Sequence, residues 1–149
     1  ISSKMKEVIW SLNTENDSLG NLLSYLQKQA RQMMENYPGS FTITIPEQIP
    51  DIKIGGETRR HIYLTVKEAL HNIIKHSGAD KINLVIACAG KLIIKVSDNG
   101  KGMNTGDSSN SGNGLKNMRN RMEQIGGNFS VENNQGLTLI FEIPLKPAL

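Results

Sequence analysis

Glu68-Ala-Leu-His-Asn-Ile-Ile-Lys-His76 is the stretch on which the reading of this chain turns. On an α-helix each residue advances about 100°, so Glu68, Asn72 and Lys75 share one narrow arc with His76 at its edge. That face offers a carboxylate, an amide oxygen and a cation. The opposite side, with Ile62, Val66, Ala69, Leu70 and Ile73, is apolar and belongs on a core. The polar arc then points into a cleft or into water. Two glycine-rich stretches downstream bear on which: Asp98-Asn-Gly-Lys-Gly102, after two apolar strands, and Gly112-Asn-Gly-Leu115.

At 149 residues the chain fits one domain of ordinary size, able to bury a core without disulfides or a structural metal. Its 38% hydrophobic and 21% charged residues suit a soluble globular protein, and no apolar run approaches the ~20 residues needed to cross a bilayer. Cys88 is the only cysteine and sits in a strand-like run, so it reads as a small core residue in a reducing, cytoplasmic setting. The net charge is +3, with basic residues interleaved among 14 acids, and nucleic-acid binding is not expected. The chain opens Ile1-Ser-Ser-Lys, without an initiator methionine or a signal-peptide pattern, and so reads as an internal fragment with upstream sequence missing.

Met5, Val8, Ile9 and Leu12 repeat at helical spacing, and Leu19, Leu22, Leu23, Leu26, Ala30 and Met33 do so again after the polar break at 13–17. Ser18 can cap the second helix, and Tyr37-Pro-Gly39 ends it. Residues 41–45 alternate as a strand that stops at Pro46, and residues 57–76 form the helix quoted above, ended by Gly78. Residues 82–89 and 91–97 read as central strands joined as a hairpin through Gly90. Residues 103–113 hold little that can be buried and read as a flexible lid. Residues 115–125 are amphipathic and helical, and residues 128–132 and 137–143 form a final hairpin that turns at 134–136. The fold class is α+β: a two-layer sandwich of about four helices on one face of a mixed, mostly antiparallel sheet of about five strands.

These elements together describe a site for Mg-ATP. Asp98 ends a buried strand and enters Gly-Lys-Gly, where missing side chains let a flat ring approach and a carboxylate can accept a bond from an exocyclic amine. A tight Asp-Asn-Gly turn without a ligand is the competing reading. Gly112-Asn-Gly114 just before a helix offers free amides and the helix dipole to a phosphate, or else serves as a hinge. Asn72 can give an oxygen to Mg2+, an ion that keeps several waters and relies on substrate phosphates. Lys75 can neutralise a phosphate oxygen, and Glu68 can accept a proton or orient a nucleophile, unless that face is simply solvated. The P-loop pattern, the third glycine of a dinucleotide fingerprint and the eukaryotic-type kinase signatures are missing. His61 and His71 lack metal-site spacing and read as surface or structural residues.

The combination resembles the ATP-binding catalytic domain of two-component sensor histidine kinases, in the superfamily shared by gyrase, an ATP-dependent chaperone and mismatch-repair ATPases, which carries the Bergerat fold. The resemblance covers about residues 18–145: residues 68–76 look like the N box, 98–102 the first glycine box and 112–115 the second. It implies Asn72 on Mg2+ and Asp98 on the adenine amino group. It also implies Gly112, Asn113, Gly114 and Leu115 at the phosphates, Lys75 and His76 on the phosphate side, and Gly100, Gly102 and Met103 beside the nucleotide. Glu68 would help activate the acceptor histidine. Met118-Arg-Asn-Arg121 resembles the subgroup whose response regulators carry helix-turn-helix output domains. The family commonly has Gly-Thr before the last strand; here Leu137 follows Gly136 and the threonine is displaced to Thr138, the remaining expected nucleotide contact.

By the same resemblance, residues 1–16 are the end of an upstream dimerising helix and residues 17–149 the ATP-binding catalytic domain. No histidine here has the acidic neighbour of the acceptor motif, so the phosphorylated residue is expected outside this chain, which should bind ATP without autophosphorylating. The implied partners are the dimerisation and phosphoacceptor domain of the same protein and a response regulator. The isolated domain is expected as a monomer, in which exposed Val8, Ile9 and Trp10 could pair, and the full-length protein as a homodimer. Its expected location is the cytoplasm, or the cytoplasmic part of a membrane-anchored sensor. Two alternatives share the fold: a module that uses ATP only to change an interface, and an anti-sigma-type serine kinase.

Overall fold

The computed structural model describes residues 2–13, 17–100, 108–133 and 135–145. The described elements run α1 (Ser3–Leu12), α2 (Leu19–Met33), β1 (Ser40–Thr44), α3 (Gly56–Asn72) with a π-helical turn (Ile73–Ser77), β2 (Lys81–Cys88), β3 (Lys91–Asp98), α4 (Ser108–Gln124), β4 (Asn128–Asn133) and β5 (Leu137–Pro144).

The five strands form one sheet in the order β1-β2-β3-β5-β4, parallel between β1 and β2 and antiparallel elsewhere. A parallel pair needs a long crossover, and α3 lies within it. Alternation assigns the faces. Ile82, Leu84 and Ile86 of β2, Leu92, Ile94 and Val96 of β3, and Leu139, Phe141 and Ile143 of β5 are buried. They oppose one another across the ladders, so they share one face. The helices cover that face, with Leu19, Leu22, Leu23, Leu26 and Ala30 of α2 and Ile62, Val66, Ala69, Leu70 and Ile73 on the α3 side all in the same core. The other face carries Asn83, Lys95 and Glu142 and is half-exposed or exposed at each.

Local chemistry explains the helix ends. Ser18 Oγ accepts from the Asn21 amide at 3.0 Å, the cap expected for α2. Gly78, at φ 61°, ends the π-helical turn in the left-handed region. Tyr37 donates its hydroxyl to the Ala79 carbonyl at 2.6 Å, tying the end of α2 to the end of α3.

Three expectations change. Helix α4 starts at Ser108, seven residues before Leu115, so 108–113, assigned to the lid, is helical here; residues 103–107 lie outside the described residues. Serine, asparagine and glycine are weak helix formers; beyond them Gly114, Met118 and Met122 recur at four-residue spacing and are buried. The helix at 57–76 widens into a π turn over its last five residues. Trp10 is not a free surface aromatic. It stacks on Tyr25 with ring centroids 4.0 Å apart, while Val8 and Ile9 are exposed.

Helix α1 is docked rather than projecting. Glu7 Oε1 accepts from the Tyr63 hydroxyl at 3.0 Å and from Lys67 Nζ at 2.7 Å, both on α3. Arg59 at the start of α3 is 1% exposed. Its guanidinium pairs with the Asp17 carboxylate, donates to the carbonyls of Ile54 (2.9 Å), Ser11 (2.6 Å) and Asn13 (3.2 Å), and lies 5.4 Å from the Trp10 ring centroid.

Candidate functional site

The polar arc of α3 faces α4. A Cβ built on Gly114 would lie 2.9 Å from Glu68 Oε1, 2.9 Å from Asn72 Nδ2 and 3.3 Å from Asn72 Oδ1. Both polar side chains are half-buried and converge on a single glycine that admits them because it has none. Helices α3 and α4 run antiparallel there, since Arg121 Nη1 lies 3.5 Å from His61 Nδ1, seven residues back on α3 and seven on along α4. Glu68 and Asn72 therefore sit in the cleft that the sequence left open as one of two choices.

Lys75 and His76 fall in the π-helical turn, where each residue advances less than about 100°, so Lys75 turns further from Asn72 than an α-helix would place it. They line a groove of about 530 Å³ against the end of α2, with Met33, Tyr37, Pro38 and Ile74 among its walls.

Asp98 ends β3 on the helix-covered face, directly opposite Leu137 on β5. Its Oδ1 accepts from the Gly100 amide at 2.8 Å, the tight turn anticipated at this sequence. Asn99 is structural: Oδ1 accepts from the amides of Asp80 (3.1 Å) and Lys81 (3.0 Å), locking the end of β3 to the loop after α3. Gly136, at φ 133°, closes the third side, because a Cβ there would fall 2.0 Å from the Asp98 carbonyl oxygen. Sequence reasoning missed Asn99 and Gly136 as supports. Only the crowding of Asn and Gly at the ends of β3 and β5 hinted at them.

Thr138 is not brought to Asp98. It pairs with Ser97, one step along the ladder, and so lies on the opposite face of the sheet. Gly112, Asn113, Gly114 and Leu115 fall inside α4. Beyond its first four residues an α-helix uses its amides for its own bonds, so the Gly114 and Leu115 amides are not free as a phosphate nest in this conformation. Gly102 and Met103 lie outside the described residues.

Burial, then the Arg121 guanidinium, lowers the His61 pKa below its ordinary value, and burial with Lys67 and Lys75 does the same for His71. Both rings are neutral near pH 7, as structural residues would be. Burial pushes the Cys88 thiol up, which keeps it protonated.

Among the described residues no three His, Cys, Asp or Glu side chains cluster as a metal cage. One neutral amide oxygen and one carboxylate in a cleft instead suit Mg2+, which is held by few protein ligands plus substrate phosphates. Asn72 fits that role by donor type, with the Glu68 carboxylate beside it, and no described helix is long and apolar enough to cross a membrane.

A sequence model of the family described as histidine kinase-, DNA gyrase B-, and HSP90-like ATPases matches residues 57–147. The chain is 30% identical over 126 residues to the sensor histidine kinase LiaS of Bacillus subtilis, covering 82% of this chain and 35% of LiaS. It is 31% identical over 88 residues to the sensor protein VraS of Staphylococcus aureus, covering 58% of this chain and 25% of VraS. The histidine kinase domain from the blue-light activated histidine kinase of Erythrobacter litoralis EL346 shares the fold, with a TM-score of 0.70, 24% identity and coverage of 83% of this chain and 61% of that one. The chain thus spans about a third or less of the length of these curated relatives.

Proposed function

This chain belongs to the histidine kinase-, DNA gyrase B-, and HSP90-like ATPase family, and from that membership we propose that it binds Mg-ATP and presents the γ-phosphate to a histidine on a separate helical domain. The convergence of Glu68 and Asn72 in the α3–α4 cleft carries the proposal, with Asp98 on the helix-covered face of the sheet, its carboxylate accepting from the Gly100 amide.

In this reading the Asp98 carboxylate accepts a hydrogen bond from the 6-amino group of the base. The Asn72 amide oxygen would hold Mg2+, which when bound would offset the negative charge of the phosphates. Glu68, one turn before Asn72, accepts a hydrogen bond from one ring N–H of the incoming imidazole, so the other nitrogen directs its lone pair at the γ-phosphorus. That nitrogen forms the new N–P bond, the P–O bond to the β-phosphate breaks, and the electron pair leaves with ADP. Phosphoryl transfer asks little more of a protein than in-line placement and charge neutralisation. Contact from the Gly114 and Leu115 amides to a phosphate requires α4 to begin near Leu115, which the weak helix formers before it permit.

Residues 1–16 are the connection to the acceptor domain and residues 17–149 the catalytic unit in this proposal, with a response regulator downstream and a homodimeric full-length protein. Its proposed place is the cytoplasmic side, where ATP is available. Calorimetric titration with a non-hydrolysable ATP analogue, with and without Mg2+, tests the core of it. Asp98→Asn should abolish binding and Asn72→Ala should remove its Mg2+ dependence. A folded parent chain that binds no analogue overturns the proposal, and stable phosphate on a histidine of this chain alone overturns the external acceptor.

A further inference from the structure

The β3–β5 ladder places Leu137 beside Asp98 and Thr138 across the sheet. We propose that Leu137 sets the purine specificity of this site by presenting an apolar wall to the Watson–Crick edge of the base, so that Asp98 alone reads position 6 and nothing on β5 reads N1. The inference rests on the nucleotide reading above.

The geometry is determined by register. Asp98 and Leu137 are directly opposed in an antiparallel pair, which puts their Cβ atoms within about 5.5 Å on one face. Gly136 immediately before Leu137 is pressed against the Asp98 backbone, so β5 cannot slide by one residue to bring Thr138 round without breaking that contact. Leu137 is half-buried and packs against the core, which holds it at the edge of the site.

The consequence is chemical. An ionised carboxylate only accepts hydrogen bonds, so Asp98 favours a 6-amino group and opposes a 6-oxo group. A leucine neither donates nor accepts. N1 is the ring acceptor beside the 6-amino group, so a hydroxyl opposite Asp98 is placed to donate to it, whereas Leu137 has no donor to offer. Adenine is thereby selected through one polar contact, and changes at position 1 pass unread.

The test is competition against a fluorescent ATP analogue on the full chain, using ATP, 1-deaza-ATP (N1 replaced by C–H) and inosine triphosphate. For the parent chain 1-deaza-ATP should compete within about twofold of ATP, because no hydrogen bond is lost, while inosine triphosphate should be weaker by about tenfold or more. Leu137→Thr should restore reading of N1, favouring ATP over 1-deaza-ATP by about fivefold. Thr138→Ala should leave all three unchanged. A parent chain that discriminates strongly against 1-deaza-ATP, or a Thr138→Ala variant that alters the order, overturns the assignment of Leu137 with nucleotide binding intact. Failure of every triphosphate to compete overturns the nucleotide reading and this inference with it.

Discussion

Replacing Arg59 by methionine tests whether α1 belongs to the folded unit. The guanidinium is 1% exposed, and its removal leaves the buried carbonyls of Ser11 and Ile54 without their donors at 2.6 and 2.9 Å. Methionine keeps much of the stem's packing, so the loss isolates the polar head. Breaking a buried pair costs about 3–5 kcal/mol. Asp17 is 33% exposed and can be rehydrated, which places this case at about 3 kcal/mol. With a urea slope of about 2 kcal/mol per M, the unfolding midpoint should fall by about 1.5 M. Hydrogen exchange should show the end of α1 losing protection first, because Arg59 bonds the carbonyls of Ser11 and Asn13 there. A midpoint shift below about 0.5 M, or a loss of protection spread evenly over the sheet, would refute the clamp.

Other outcomes follow from the same geometry. Gly136→Ala meets the Asp98 carbonyl at 2.0 Å from a φ of 133°, so it should lower the melting temperature and weaken ATP-analogue binding together, seen by calorimetry. Gly114→Ala meets only side-chain ends, Glu68 Oε1 and Asn72 Nδ2; it should stay folded, helped by better helix propensity, while analogue affinity drops at least several-fold. His61 and His71 are lowered by burial, so the unfolded chain takes up protons near pH 6.5 that the folded chain refuses. Stability is then full above about pH 6.5 and declines as pH falls below it, levelling once the folded rings protonate. Urea midpoints between pH 8 and pH 5 should show this, and a double His61→Asn, His71→Asn variant should flatten the upper part of the curve. Gly112→Ala should raise the helix signal in circular dichroism and weaken analogue binding, since it strengthens the start of α4; unchanged affinity would mean that α4 need not shorten.

Most of the fold was legible because its elements carry strong periodicity. The alternation in 82–88 and 91–98 and the five buried positions of α2 each admit one face. The two hairpins, β2–β3 and β4–β5, were legible from their turns, whereas the parallel β1–β2 pair and the β3–β5 pair join strands distant in sequence. The N-box helix was legible as an arc, and Glu68 with Asn72 met as the arc requires. The rest depended on through-space facts. The arc position of Lys75 assumes an α-helix, and a change to π geometry over the five residues 73–77 leaves no mark in composition. Arg59 carries no signal in the local sequence, because its partners at residues 11, 13 and 17 lie more than 40 residues away. Thr138 was misplaced by motif reasoning, which counts residues from Gly136, whereas the ladder assigns faces by parity.

Parity and helix length act on the two ends of the site in different ways. At Asp98 the surroundings are rigid: two strands, the Asn99 bonds to the 80–81 backbone and the pressed Gly136 leave little to adjust. At Glu68 and Asn72 the surroundings are a helix whose first six residues are Ser, Ser, Asn, Ser, Gly and Asn. Summed over those residues, helix formation is about 3–4 kcal/mol less favourable than for alanine. Such a composition gives that segment little helical preference of its own, so unwinding it to free amides for a phosphate costs little. A site whose base end is fixed and whose phosphate end is cheap to remodel can register the base before it commits α4, and this places the specificity of the site at Asp98 and Leu137 rather than at the glycines of α4.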